Sequence, residues 1–333
     1  MTPRRALALI VVAVAVLAVV AGCGGDDGSG DPGRQSARLI LDWFPNTDHA
    51  GIYGAIDEGF FADEGVTVTP EVPSDPSAAL KRLAAGRAEF AISYEPEVLI
   101  ARSEGVPVVA VGAIVTRPLN AVIYRTDRIS GADDLEGKTV GAAGLPSDRP
   151  LLDAVVRDGG GDPAKVNVKN VGYNLSPALA AGKVDAIIGA YWNIELVDLE
   201  RQGQPVAALK LDEHGVPTYD ELVVVTSDTV ARDKPELVRA FLRGLQKGQD
   251  WAATDESGAV EHLLDANKDL DKDTVQAQLH ETAPVLSPSD VPTLSVDPAQ
   301  WKAFAAWMTA NGLLTKPVDA SAAVTDRFLP EDR

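Results

Sequence analysis

The chain has 333 residues, with 30 Lys and Arg against 49 Asp and Glu, a net charge of −19. That balance excludes nucleic acid, whose phosphates need clustered cations, and disfavours electrostatic capture of anions. One cysteine and four histidines exclude a disulfide framework and leave little for a Cys- or His-built metal or cofactor centre, and the length suits about two domains.

Arg4 and Arg5 precede an apolar run from Ala6 to Val20. As a helix such a run spans roughly 22 Å, too short for a hydrocarbon core of ~30 Å, so residues 1–22 read as an export signal. The run ends in Val20-Ala21-Gly22-Cys23, which resembles the lipobox of bacterial lipoproteins. The resemblance implies cleavage before Cys23 and a lipid anchor there, on the extracytoplasmic face of the cell membrane. Residues 23–36 are mostly polar, Gly or Pro and read as a flexible tether.

From Ala37 onward, short β-rich runs alternate with helical patterns, as in an α/β fold with parallel strands. The first series has strands at 37–42, 66–72, 89–94 and 106–115, with helices at 49–59 and 77–86 between them. A second series has strands at 139–144, 166–172, 186–191 and 205–211, with helices at 148–158, 176–182 and 194–202. After 221–226 the pattern is helical; Leu237, Val238, Phe241, Leu242, Leu245 and Trp251 keep a 3.6-residue spacing. Residues 83–92 (LAAGRAEFAI) echo 179–188 (LAAGKVDAII), which suggests two lobes of similar build. Strands 120–127 and 221–228 read as two hinge crossings. Lobe one then comprises 37–119 and 227–333, and lobe two 120–226.

In open parallel sheets ligands sit beyond the carboxyl ends of strands, and three stretches there carry candidate side chains. In 41–68, Trp43, Asn46 and His49 follow a strand ending at Asp42 and suit a flat nitrogen heterocycle. Equally, Trp43 can pack between lobes, Asn46 or Thr47 can cap the helix, and His49 can lie on its exposed first turn. In GAYWNIE (189–195), Tyr191 and Glu195 are four residues apart, and the carboxylate can accept bonds from an amine or protonated ring nitrogen. Glu195 can also simply complement a helix dipole, and Trp192 cannot share the cleft with both neighbours. In SYEPEV (93–98), Tyr94 suits stacking, while Glu95 and Glu97 read as first-turn acids. Ser147 and Asp148 read as N-caps, and Arg149 is the basic residue best placed for an anion. No G-x-S-x-G elbow or phosphate loop is present, so the chain reads as a binder.

Taken together, LDWFPNTDHAGIYGA, AEFAISYEPEVL and GAYWNIE resemble the thiamine-pyrimidine-precursor binding lipoproteins of the NMT1/THI5-like group, over nearly all of residues 37–310. The resemblance implies a type II periplasmic-binding-protein-like fold, two α/β lobes joined by two hinge strands. It further implies a monomer that binds a hydroxymethyl- or formylaminomethyl-aminopyrimidine through Trp43, Asn46, His49, Tyr94, Tyr191 and Glu195. It implies no enzyme activity and no cofactor, with an ABC permease and its ATPase subunit as partners. Enzymes of the group carry a lysine and a histidine where Ser93 and Glu97 stand here, together with a cysteine-rich motif that this chain lacks. Two alternatives stay open: the same fold binding a sulfonate, nitrate or other anion through Arg117, Arg125 or Arg149, and a secreted pyrimidine-pathway enzyme.

Overall fold

Runs of Val, Ile and Leu that are apolar on both faces build two separate five-stranded sheets, the pattern of strands covered on both sides. The computed structural model describes residues 34–331. The expected export signal, Cys23 and most of the expected tether lie outside the described residues.

In chain order the strands are β1 (Gln35–Ile40), β2 (Val66–Glu71), β3 (Phe90–Ser93), β4 (Val108–Val115), β5 (Asn120–Arg125), β6 (Thr139–Ala142), β7 (Asn167–Asn170), β8 (Ala186–Tyr191), β9 (Val206–Lys210) and β10 (Leu222–Ser227). The first sheet runs β2-β1-β3-β10-β4 and the second β7-β6-β8-β5-β9. In each, three strands are parallel and the fourth is antiparallel to both neighbours: β10 to β3 and β4, β5 to β8 and β9. The two sheets therefore share one order. The sequence echo falls on matching elements, a short helix and the central strand β3 or β8. Each helix is followed by a left-handed glycine, Gly86 at φ +68° and Gly182 at φ +65°.

Two boundaries differ from the sequence reading. β1 begins at Gln35, so the last two residues assigned to the tether are strand. Neither 120–127 nor 221–228 is a bare crossing, because β5 and β10 are each paired on both sides inside a sheet. The chain crosses just before them, at 116–119 and ahead of Leu222, and a boundary at 226 would cut through β10. Its residues Leu222 to Val225 are fully buried, which two-sided pairing requires.

After β10 come five helices. The longest, Pro235–Ala252, buries the predicted stripe Leu237, Val238, Phe241, Leu242 and Leu245. It lies against helix Ala50–Asp57 at a crossing made of glycines. A Cβ on Gly248 would collide with the Gly51 carbonyl oxygen, and one on Gly54 with the Trp251 ring. This close approach anchors the helix that follows the candidate loop 42–49.

Candidate site between the lobes

β1 ends at Ile40, and the next residues turn across its carboxyl end. Asn46 caps the short turn Thr47–His49, its Oδ1 accepting from Asp48 N at 2.9 Å. The Asn46 backbone N–H donates to His49 Nδ1 at 3.3 Å. Nδ1 is therefore the acceptor, the proton sits on Nε2, and Nε2–H donates to Asp42 Oδ1 at 2.8 Å. Asp42 Oδ2 accepts from the Tyr94 hydroxyl at 2.9 Å. The sequence passed over Asp42, yet this buried carboxylate holds His49 and Tyr94 together. Asn46 and His49 support the loop and do not line the cavity between the lobes. His49 is fully buried, not on an exposed turn.

That cavity, closed down to about 10 Å³ and so little more than one water in size, is bounded by Trp43 and Tyr94 from lobe one and by Tyr191, Asn120 and Ser147 from lobe two. Tyr219 and Glu221, on the return crossing, also line it. The Trp43 ring also meets Tyr173 of lobe two edge-on, centroids 4.5 Å apart, so it packs between the lobes as its alternative reading had it. Tyr94 and Tyr191 stand at the ends of the matching central strands β3 and β8. Burial pushes both phenols well above their ordinary range, reinforced by Asp42 at Tyr94 and Glu221 at Tyr191.

Glu221 ties the two crossings together. Its Oε2 accepts from the backbone N–H of Leu119 (2.8 Å) and Asn120 (2.9 Å) and from the Tyr219 hydroxyl (2.9 Å). Its Oε1 accepts from the Tyr191 hydroxyl at 3.3 Å. Burial raises its pKa to about 7 against these donors. Glu95 stands with Glu97 in the first turn of its helix, as the sequence suggested, and it is also a second, buried tie, accepting from Asp220 N at 2.7 Å.

Glu195 is half-buried, and its Oε2 accepts from Tyr191 N at 2.7 Å. It thus stands at the strand end, as its spacing suggested, but behind the cavity wall, and burial raises its pKa to about 7. Asn193, two residues earlier, was not singled out by sequence. It is fully buried and donates to Asp48 Oδ1 and to Thr282 Oγ1, both at 2.8 Å, bridging lobe two to lobe one. Trp192 turns away, with Nε1 on Pro118 O and Lys210 Nζ 4.2 Å above its ring. Ser147 makes no side-chain cap; its N–H donates to Glu97 Oε1 across the lobes at 3.0 Å. Asp148 binds the loop N–H groups of Gly144 and Leu145 instead of capping the helix.

The arginines that an anion would need are engaged elsewhere. Arg149 meets Asp153, Pro163 O and Val166 O; Arg125 meets Asp127; and Arg117 is 3.9 Å from Asp212. No Lys or Arg lines the interlobe cavity among the described residues. Nor is any group of three or more His, Cys, Asp or Glu among them arranged to hold a metal ion.

Comparison with known proteins adds to this geometry. A family model described as NMT1/THI5 like matches residues 46–259. A formylaminopyrimidine-binding protein of Halalkalibacterium halodurans is 32% identical over 97% of this chain and 100% of its own. A 4-amino-5-hydroxymethyl-2-methylpyrimidine phosphate synthase of Legionella pneumophila is 25% identical over 90% of this chain and 93% of its own. Among solved structures, the alkanesulfonate-binding protein of Xanthomonas axonopodis pv. citri superposes with a TM-score of 0.72 at 18% identity, covering 89% of this chain and 99% of that one. At that identity the likeness shows the fold alone: a periplasmic-binding-protein-like pair of α/β lobes.

Proposed function

The chain belongs to the NMT1/THI5-like family, and from that premise we propose that it captures an aminopyrimidine precursor of thiamine between its lobes and delivers it to an ABC permease. One observation carries the reading: aromatic side chains from both lobes, Trp43, Tyr94 and Tyr191, meet around one cavity with Glu221 and Asn120 and no cation. Aromatic rings offer stacking surfaces to a flat heterocycle. Carboxylate and amide oxygens accept from its exocyclic amine. Glu195 backs Tyr191 and supplies a further acceptor once the lobes part and reclose on the ligand.

The mechanism follows from the two crossings. The open lobes admit the ligand to one wall, and closure brings the other wall onto it. Asn193 on Asp48 and Thr282, and Ser147 on Glu97, are the bonds that hold the two lobes together in this structure. A lipid on Cys23 and the tether then keep the loaded protein near a permease and its ATPase subunit, on the outer face of the membrane.

The protein works as a binder and not as a synthase. What supports this reading is the resemblance, which implies a lysine and a histidine in the family's enzymes where this chain has Ser93 and Glu97. The test is calorimetric titration against hydroxymethyl- and formylaminomethyl-aminopyrimidine, thiamine, taurine and nitrate, with product analysis after each titration. Micromolar or tighter binding of an aminopyrimidine, recovered unchanged, is expected. Binding of taurine or nitrate alone, or turnover, contradicts the proposal.

A further inference from the structure

Lobe two reaches across to lobe one at Tyr173. This half-buried residue stands in the turn between β7 and helix Leu175–Ala180, just beyond the carboxyl end of its strand. Val171 N donates to Ala142 O at 2.9 Å, so the pairing of β7 with β6 continues up to the turn. Gly172 takes a left-handed φ of +55°, and its N–H donates to Asn170 Oδ1 at 2.9 Å. Asn174 N donates back to Val171 O at 3.1 Å. Tyr173 is thus projected from a fixed turn and not from a loose loop.

Its side chain meets two separate segments of lobe one. The ring contacts Trp43 edge-on at 4.5 Å and Phe44 at a tilt, centroids 4.8 Å apart. The hydroxyl donates to the carbonyl oxygen of Pro73, in the loop after β2, at 3.0 Å. Burial, with Asp42 and Asp75 nearby, pushes the phenol up to about 12, so the hydroxyl keeps its proton throughout the physiological range. Trp43 is at once a wall of the interlobe cavity and packed against lobe two's apolar cluster, which includes Ala143 and Leu175. Phe44 and Val72, exposed by 46% and 38%, mark the same two attachment points, Phe44 under the ring and Val72 beside Pro73. Parting the lobes must strip Tyr173 from all three partners and leave more aromatic surface in water.

Resting on the pyrimidine reading above, we propose that Tyr173 is the clasp of the closed state, a positioning residue that steadies the Trp43 ring, ties lobe two to Pro73 and so sets how long a captured ligand is held. Tyr173 does not line the cavity, so it acts through Trp43 and not on the ligand itself. The ties at Asn193 and Glu221 are polar and buried in the seam; the clasp adds aromatic contact, which carries its own preference for edge-on geometry. A contact that forms as the lobes shut shows itself in release more than in association.

The experiment is stopped-flow tryptophan fluorescence with formylaminomethyl-aminopyrimidine, measuring association and release separately for the wild type, Tyr173→Phe and Tyr173→Ala. Tyr173→Phe loses only the bond to Pro73 and should release the ligand about threefold to tenfold faster, the scale of one neutral hydrogen bond. Tyr173→Ala loses both ring contacts as well and should release it roughly thirtyfold faster or more. Association should not slow in either. Release at the wild-type rate from either variant, or slower association with release unchanged, overturns the inference and leaves the pyrimidine reading intact. Tyr173→Phe removes a single oxygen atom, so it decides the matter even if Tyr173→Ala does not fold. Failure of the wild type to bind the pyrimidine overturns the pyrimidine reading, and the clasp with it.

Discussion

Asp42 decides how the rest of the candidate loop is held. One carboxylate fixes the His49 tautomer through Oδ1 and the Tyr94 hydroxyl through Oδ2, so the motif's histidine acts through an acid that precedes it by seven residues. Trp43, Tyr94 and Tyr191 could be picked from the sequence because large aromatics at strand ends are few. Asp42 and Glu221 could not, since one acid among 49 looks like any other until the fold brings distant segments together, and neither could Asn120, whose backbone N–H meets Glu221 from 101 residues away. Asn46 and His49 were found by the same motif but serve local hydrogen bonds, which spacing alone does not distinguish from ligand contacts. At this scale, Glu195→Gln should weaken aminopyrimidine binding by ~1.5–3 kcal/mol, the usual range for a hydrogen bond to a charged group. Titration calorimetry checks this, and unchanged affinity removes Glu195 from the site.

Among elements, the crossing of helix Ala50–Asp57 with helix Pro235–Ala252 positions the loop that carries Trp43. Gly51 and Gly248 let the two backbones approach. Adding a methyl there must push the helices apart, so Gly248→Ala should destabilise the fold by about 1–3 kcal/mol, the range for overpacking a core. Chemical denaturation measures it; stability equal to wild type would mean the crossing tolerates the added volume. The strand pattern and this helical stripe were visible in sequence because periodicity is a local property. The sheet membership of β10 was not, since a run of Leu and Val reads alike as a connector or as a central strand.

For the molecule as a whole, the seam between lobes and its surroundings hold many buried acids whose pKa values are raised. Burial brings Asp148, Glu195, Asp220 and Glu221 to about 7, and lifts Asp48 and Glu95 well above their ordinary values. From the ordinary carboxylate values of 3.8 and 4.5 up to about 7, the folded chain holds protons that the unfolded chain has released. Stability must therefore fall as pH rises through that window and level off above it. Tm should be higher at pH 5 than at pH 8, and Glu221→Gln should flatten part of the slope. A Tm that climbs steadily from pH 5 to pH 8 would contradict these assignments. The two-lobe plan itself could be read from the sequence, through the alternating series and its echo. The closed seam could not, because it joins Asp48, Asn193 and Thr282 from three distant segments.

The most direct measurement is a crystal structure of the protein grown with hydroxymethyl-aminopyrimidine. The account predicts the ring between Trp43, Tyr94 and Tyr191, with its exocyclic amine on a carboxylate or amide oxygen of the cavity wall. Density for the pyrimidine on the outer surface only, with the interlobe cavity filled by water, would contradict it.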